Sequence, residues 1–284
     1  MRALIKCVGF IGDNLFASSV PRKLKQQGFT KVDLQLSIAQ PYELLNFNPD
    51  IDEVFLYQSN PNTYDEIYYL TPVHRKETPT EQFQKQCGVL NPSPEYTVYT
   101  NPSIDSYVYP LLKDAAQGRK LVGYMMNWVE KTFGFTEEEY RRGIDVPNLG
   151  YGGRRRDIQF IIESLEKEEN IFLIPVGMPV GYNQKELTLD GVSNYTLTAS
   201  MIKSCDWFIG AEGGLANLAA GVGTKTIITG DYVHQLYGWN GVIEKNEKPK
   251  LGPKYYFPEG HYTLDPYLTD LQIVDEIKNL IWKN

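Results

Sequence analysis

Two short segments carry residue types that can do chemistry. In the first, Gly12-Asp13 follows an apolar run from Arg2 to Phe10, which puts a carboxylate at the end of what reads as a β-strand. An aspartate with a reference pKa of about 3.9 is ionised at neutral pH and can accept a proton from an alcohol. It can equally cap the following helix through that helix's free amides. In the second, Gly210-Ala211-Glu212-Gly213-Gly214-Leu215-Ala216-Asn217-Leu218-Ala219-Ala220 runs from a strand end through a glycine pair into a small-residue helix. Glycines let backbone amides approach an anion without a Cβ in the way, and a helix N-terminus favours negative charge. The segment outlines a diphosphate cradle, although a glycine turn that only packs closely has the same composition. Glu212 would repel a diphosphate and is better placed as the acceptor for a ribose or sugar hydroxyl.

Cationic partners for an anion are few. Arg154-Arg155-Arg156 is the compact basic run of the chain, and arginine grips phosphate oxygens in a bidentate fork. A solvated positive loop is the plain alternative. Lys131 is a second candidate for the same task. The three cysteines, Cys7, Cys87 and Cys205, form no CxxC pair, and the three histidines, His74, His234 and His261, have no i, i+4 partner. Neither a disulfide scaffold nor an intrinsic metal site is expected. The 20 tyrosines read mainly as half-buried structural residues.

Composition bounds the class. The chain has 284 residues with 28 Lys+Arg against 35 Asp+Glu, a net charge of −7, which argues against a general nucleic-acid binder. With 42% hydrophobic and 22% charged residues it can bury a sizeable core and is not disordered. No run approaches the roughly 18 apolar residues of a membrane span, and the first residues lack the long apolar core of a secretory peptide. A soluble, cytoplasmic protein is expected.

These loops need elements to hold them. Arg2–Phe10 reads as a strand, followed by a helix that ends at Gly28, where Pro21 either kinks the helix or sits in the first turn of one capped by Ser18 or Ser19. Phe16, Val20 and Leu24 would face the sheet. Val32, Leu34, Leu36 and Ile38 alternate as a second strand, with short strands at 54–57 and 67–70. Strand, helix, strand in succession favours a parallel sheet. Residues 89–118, with Pro92, Pro94, Pro102 and Pro110, read as a linker. Strands at 120–126, 171–175, 207–210 and 226–229 then alternate with helices at 157–167, 198–205 and 215–222. An amphipathic helix over 268–282 closes the chain. The expected organisation is α/β: an N-terminal Rossmann-like domain over 1–110, a second over 118–265, and a C-terminal helix over 266–284 that crosses back over both.

Strand-Gly12-Asp13-helix, then Pro21-Arg22-Lys23-Leu24-Lys25, Asn48-Pro49-Asp50-Ile51-Asp52-Glu53-Val54 and FIGAEGGLANLAAGVGTKTIITG (residues 208–230) together resemble glycosyltransferase family 9, the family of the lipopolysaccharide heptosyltransferases. The recognisable motifs lie in residues 1–57 and about 196–240. The resemblance implies a GT-B fold, two Rossmann-like domains facing a cleft. It implies inverting, metal-independent transfer of a sugar from an ADP-, GDP- or UDP-linked donor to a glycan or glycolipid acceptor, with no bound cofactor and no nucleic-acid partner. Carried over, Asp13 is the general base, with Gly12 and Asn14 on the acceptor side. Gly213, Gly214 and Leu215 offer amides to the diphosphate, aided by Arg154, Arg156 and Lys131, while Glu212 and Asn217 serve the donor sugar or ribose. The sequence departs from the family pattern in having Glu212 for Asp, Gly213 for Thr and Asn217 for His, which leaves the donor open. Contact with the membrane's inner face follows only if the acceptor is lipid-linked. A GT-B-type nucleotide-sugar epimerase and a non-catalytic glycan-binding module are the competing readings.

Overall fold

The structure, a computed structural model, describes residues 1–9, 11–39, 41–56, 63–71, 78–125, 158–176, 194–211, 213–230, 261–264 and 268–283. Two parallel sheets organise them. The first has strands β1 (Arg2–Cys7), β2 (Lys31–Leu36), β3 (Glu53–Phe55) and β4 (Glu66–Leu70) in the order β3-β2-β1-β4. Ala3, Ile5, Cys7, Val32, Leu34 and Leu36 point to one face and are buried there under α1 (Ile11–Ala17), α2 (Val20–Gln26) and α4 (Pro79–Gln86). A short α3 spans Tyr42–Leu45. The chain turns one way from β1 to β2 and β3 and the other way to β4. That reversal places a ligand crevice at the carboxyl end of β1, where open α/β sheets bind.

Of the two expected arrangements before Gly28, a helix kinked at Pro21 or one starting near Ser18 and Ser19, the structure has the second, preceded by the separate helix α1. Ser19 occupies the N-cap position of α2 with Pro21 in its first turn, but the expected side-chain cap is not made. The Ser18 and Ser19 hydroxyls turn back instead, donating to the carbonyls of Leu15 at 2.6 Å and Phe16 at 2.8 Å. They satisfy the end of α1 rather than the start of α2. Phe16, Val20 and Leu24 are all buried, as their spacing requires.

The expected linker is a helix over its second half. Asn101 accepts the Ser103 amide at 2.9 Å as N-cap, Pro102 opens α5 (Pro102–Ala116), and Gln117 closes it in the left-handed region at φ 52°. Pro102 stands where a missing N–H costs nothing. Pro110 sits on the exposed side, where water can take up the carbonyl it leaves unbonded. The extended passage between the sheets is therefore residues 89–101, and α5 packs on the second unit.

That unit has strands β5 (Lys120–Tyr124), β6 (Ile171–Pro175), β7 (Trp207–Ala211), β8 (Lys225–Gly230) and β9 (Tyr262–Thr263), all parallel, in the order β6-β5-β7-β8-β9. Its helices are α6 (Ile158–Leu165), α7 (Asn194–Ser204), α8 (Gly214–Gly221) and α9 (Asp270–Lys283). Here the order reverses between β5 and β7, so the crevice lies at the end of β7, which feeds the glycine pair. One apolar cluster runs from the first sheet through α1 into α7 and α8, joining the two units. The C-terminal helix does not cross back as expected: its buried residues Ile273, Val274, Ile277 and Ile281 all join a second cluster, with α6 and the far face of the second sheet. Among the described residues, no helix is long and apolar enough to cross a membrane.

Candidate functional site

The end of β1 is shaped by a glycine that sequence reading passed over. Gly9 exchanges hydrogen bonds with Ser37, its amide donating to Oγ at 3.2 Å and its carbonyl accepting at 3.0 Å, and Asn14 Nδ2 donates to the same carbonyl at 3.3 Å. A Cβ on Gly9 would lie 2.4 Å from Asp13 Oδ2, so the carboxylate folds over this residue and no other side chain fits. The signal was present as Gly9-x-x-Gly12-Asp13, but only the second glycine adjoins the carboxylate in sequence. Asp13 is the third residue of α1, within its first turn rather than at its N-cap, where the helix dipole favours a negative charge. Beneath it, the Cys7 thiol is buried, and burial together with the Asp13 charge holds its pKa far above that of a free thiol. Cys7 is thus an inert core residue, as are the buried free thiols of Cys87 and Cys205, each pushed up to about 12 by burial.

At the second loop, Gly213 is the N-cap of α8 and offers no side chain to the helix. The Gly214, Leu215 and Ala216 amides have no partner within the helix, which is the property an anion site uses. Ala216, Ala219 and Ala220 are buried, and they let α8 lie close to β7 and β8.

The two loops meet. A Cβ on Gly12 would come within 2.5 Å of Asn217 Nδ2, and one on Gly214 within 3.1 Å of Ile11 Cγ2. The extended passage straps the junction from the side. Tyr96 donates its hydroxyl to the Asn217 carbonyl at 2.6 Å, and the Val98 amide donates to the Gly221 carbonyl at 2.8 Å. Tyr96 also stacks edge-on against Phe16 with ring centroids 5.1 Å apart. The structure thereby brings together Gly12, Asp13 and Asn14 with Gly213, Gly214, Leu215 and Asn217, all named from sequence. Arg154, Arg155, Arg156, Lys131 and Glu212 lie outside the described residues.

The other family-like motifs of the first unit hold each other. Arg22 pairs with Asp50 at 2.8 Å and with the Tyr99 hydroxyl, and Lys25 pairs with Asp52 at 3.0 Å. Asn48 Nδ2 donates to the Ser18 carbonyl at 3.1 Å. Arg22, Asp50, Tyr99, Asn48 and Ser18 line a polar cleft of about 110 Å³ beside Tyr96.

No family model and no curated protein matches this sequence. Solved structures do match over essentially the whole chain. The glycosyl transferase family 9 protein from Veillonella parvula DSM 2008 superposes with a TM-score of 0.60 at 10% identity, covering 100% of this chain and 97% of that one. The E. coli ADP-heptose LPS heptosyltransferase II gives 0.62 at 12% identity, with 100% and 99% covered. The iron-containing heptosyltransferase TibC, in complex with ADP-D-beta-D-heptose, gives 0.54 at 11% identity, with 99% and 77% covered. With its two parallel sheets joined through α1 and α8, this chain has the fold of the family 9 glycosyltransferases, the GT-B arrangement of two Rossmann-like units.

Proposed function

We propose that this protein is an inverting, metal-independent glycosyltransferase that moves a sugar from a nucleotide diphosphate donor to a hydroxyl of a glycan or glycolipid acceptor. One observation carries the reading: the carboxylate loop of the first unit and the helix N-terminus of the second converge, Gly12 on Asn217 and Ile11 on Gly214. A transferase needs a base on the acceptor side and an anion cradle on the donor side within one reach, and each crevice supplies one of the two.

In this mechanism Asp13 accepts the acceptor's hydroxyl proton as the oxygen attacks the anomeric carbon. The new C–O bond forms on the face opposite the departing diphosphate, so a single displacement inverts the centre without an enzyme nucleophile. The electron pair of the broken bond stays on the diphosphate. The amides of Gly214 and Leu215 and the α8 dipole stabilise its charge, with Arg154, Arg156 and Lys131 as cationic partners. Glu212 and Asn217 take hydroxyls of the donor sugar or ribose. Neutralisation by amides and side chains leaves no step that requires a divalent cation.

The test is binding and turnover across ADP-, GDP- and UDP-linked sugars, with Asp13→Asn beside the wild type and EDTA in a parallel arm. One donor should be bound by both proteins and hydrolysed or transferred only by wild type, with EDTA without effect. Full turnover by Asp13→Asn would remove the base, loss of turnover in EDTA would remove metal independence, and failure to bind any donor would reduce the likeness to one of fold.

A further inference from the structure

Tyr195 stands near the start of α7 and packs on the apolar cluster shared by the two units. Its hydroxyl oxygen is buried and has no hydrogen-bond partner. A buried phenol is normally paired, because an unmade hydrogen bond forfeits the water it gave up. The oxygen lies 3.6 Å from the point a Cβ on Gly214 would occupy, so it faces the first residue of α8. A second unpaired atom belongs to the same corner: Oδ1 of Asn217, a residue only 6% exposed, also has no partner. Ile11 covers the corner, with Cγ2 and Cβ at 3.1 and 3.2 Å from that same Gly214 point.

A hydroxyl and the N-terminal amides of α8 thus lie together beside one aliphatic side chain, with the unpartnered Asn217 amide oxygen about one turn along the same helix. We propose that Tyr195 Oη donates a hydrogen bond to a phosphate oxygen of a nucleoside diphosphate seated at the N-terminus of α8, and that Ile11 is the side chain that withdraws to admit it. The inference rests on the donor reading above and adds to it a side-chain donor from a different helix and a gate from the opposite unit. Burial holds the phenol pKa far above its ordinary value, so the group keeps its proton throughout the physiological range and acts as donor. Asn217 Oδ1 is an acceptor and suits a hydroxyl of the ligand rather than its phosphate.

The experiment is calorimetric titration of the full chain with ADP, GDP and UDP, for wild type, Tyr195→Phe and Ile11→Ala, beside thermal midpoints without ligand. Tyr195→Phe should bind the preferred diphosphate about tenfold more weakly, the worth of one charge-assisted hydrogen bond. Its unliganded midpoint should equal or exceed wild type, since the lost hydroxyl had no partner. Ile11→Ala should bind as tightly or more tightly. Wild-type affinity in Tyr195→Phe, or weaker binding with a midpoint lowered by several degrees, overturns the Tyr195 role and leaves the diphosphate site standing. Weaker binding by Ile11→Ala overturns the gate. A wild type that binds none of the three overturns both the inference and the reading beneath it.

Discussion

The side-chain nitrogen of Asn217 rests against the α-carbon of Gly12, so close that a methyl group on the glycine would reach within 2.5 Å of it. This contact joins the residue before the proposed base to the helix that begins at the proposed anion site. Its two partners come from helices of different units, and neither can grow without moving the other loop.

Gly12→Ala should therefore cost about 1–3 kcal/mol by overpacking and lower turnover by displacing Asp13. Asn217→Ala opens the space, so the double variant should recover part of both. A double-mutant cycle on urea midpoints and turnover measures the coupling, and strict additivity would mean the contact is loose.

Gly221 lies at the last turn of α8, where a Cβ would meet Val98 Cγ2 at 2.4 Å and Tyr96 Cε2 at 2.8 Å. The Val98 amide bond to the Gly221 carbonyl holds that strap in place, so it has little room to retreat. Alanine favours a helix over glycine by about 1 kcal/mol, yet overpacking outweighs that here, and Gly221→Ala should lose roughly 1–3 kcal/mol by chemical denaturation. A gain in stability would show that the passage at 95–99 yields.

Gly214→Val should weaken donor binding, because any side chain there enters the space between Ile11 and Tyr195 that a phosphate would use. Isothermal titration with the preferred nucleotide diphosphate measures it. An unaltered affinity would take the diphosphate away from this loop.

Asp105 predicts an acid sensitivity. Burial by itself would raise its pKa, but hydrogen bonds from Lys203 Nζ at 2.8 Å and Thr100 Oγ1 at 2.6 Å, with the lysine's charge, hold it below the usual carboxylate value. A pKa lower in the folded than in the unfolded state, where it is about 3.9, adds stability that is present above pH 4 and is lost as pH falls through the folded value. The gap in urea midpoint between wild type and Asp105→Asn should be open at pH 7 and shrink towards pH 3. Parallel profiles would show that the Asp105 network adds nothing.

Most strands, and the helices that follow β1, β6 and β7, were legible in the sequence because they are local properties, whereas α4 (Pro79–Gln86) and α5 (Pro102–Ala116) were not. Alternating Val32, Leu34 and Leu36 make a strand wherever it lies, and a glycine pair after Trp207-Phe208-Ile209 ends one and begins a helix. The errors had local causes too. Four prolines made 89–118 read as a linker, although Pro102 after Asn101 is a helix start and Pro110 can stand on an exposed face. Tertiary structure alone decided that Gly12 would meet Asn217, that Gly9 rather than Gly12 would make room for the Asp13 carboxylate, that Tyr195 and Ile11 would flank the start of α8, and that Tyr96 would reach the Asn217 carbonyl and Gly221. Such contacts depend on which sheet edges and helix faces come together once apolar surface is buried. A tyrosine at 195 carries no sequence mark of the glycine at 214 that it comes to face.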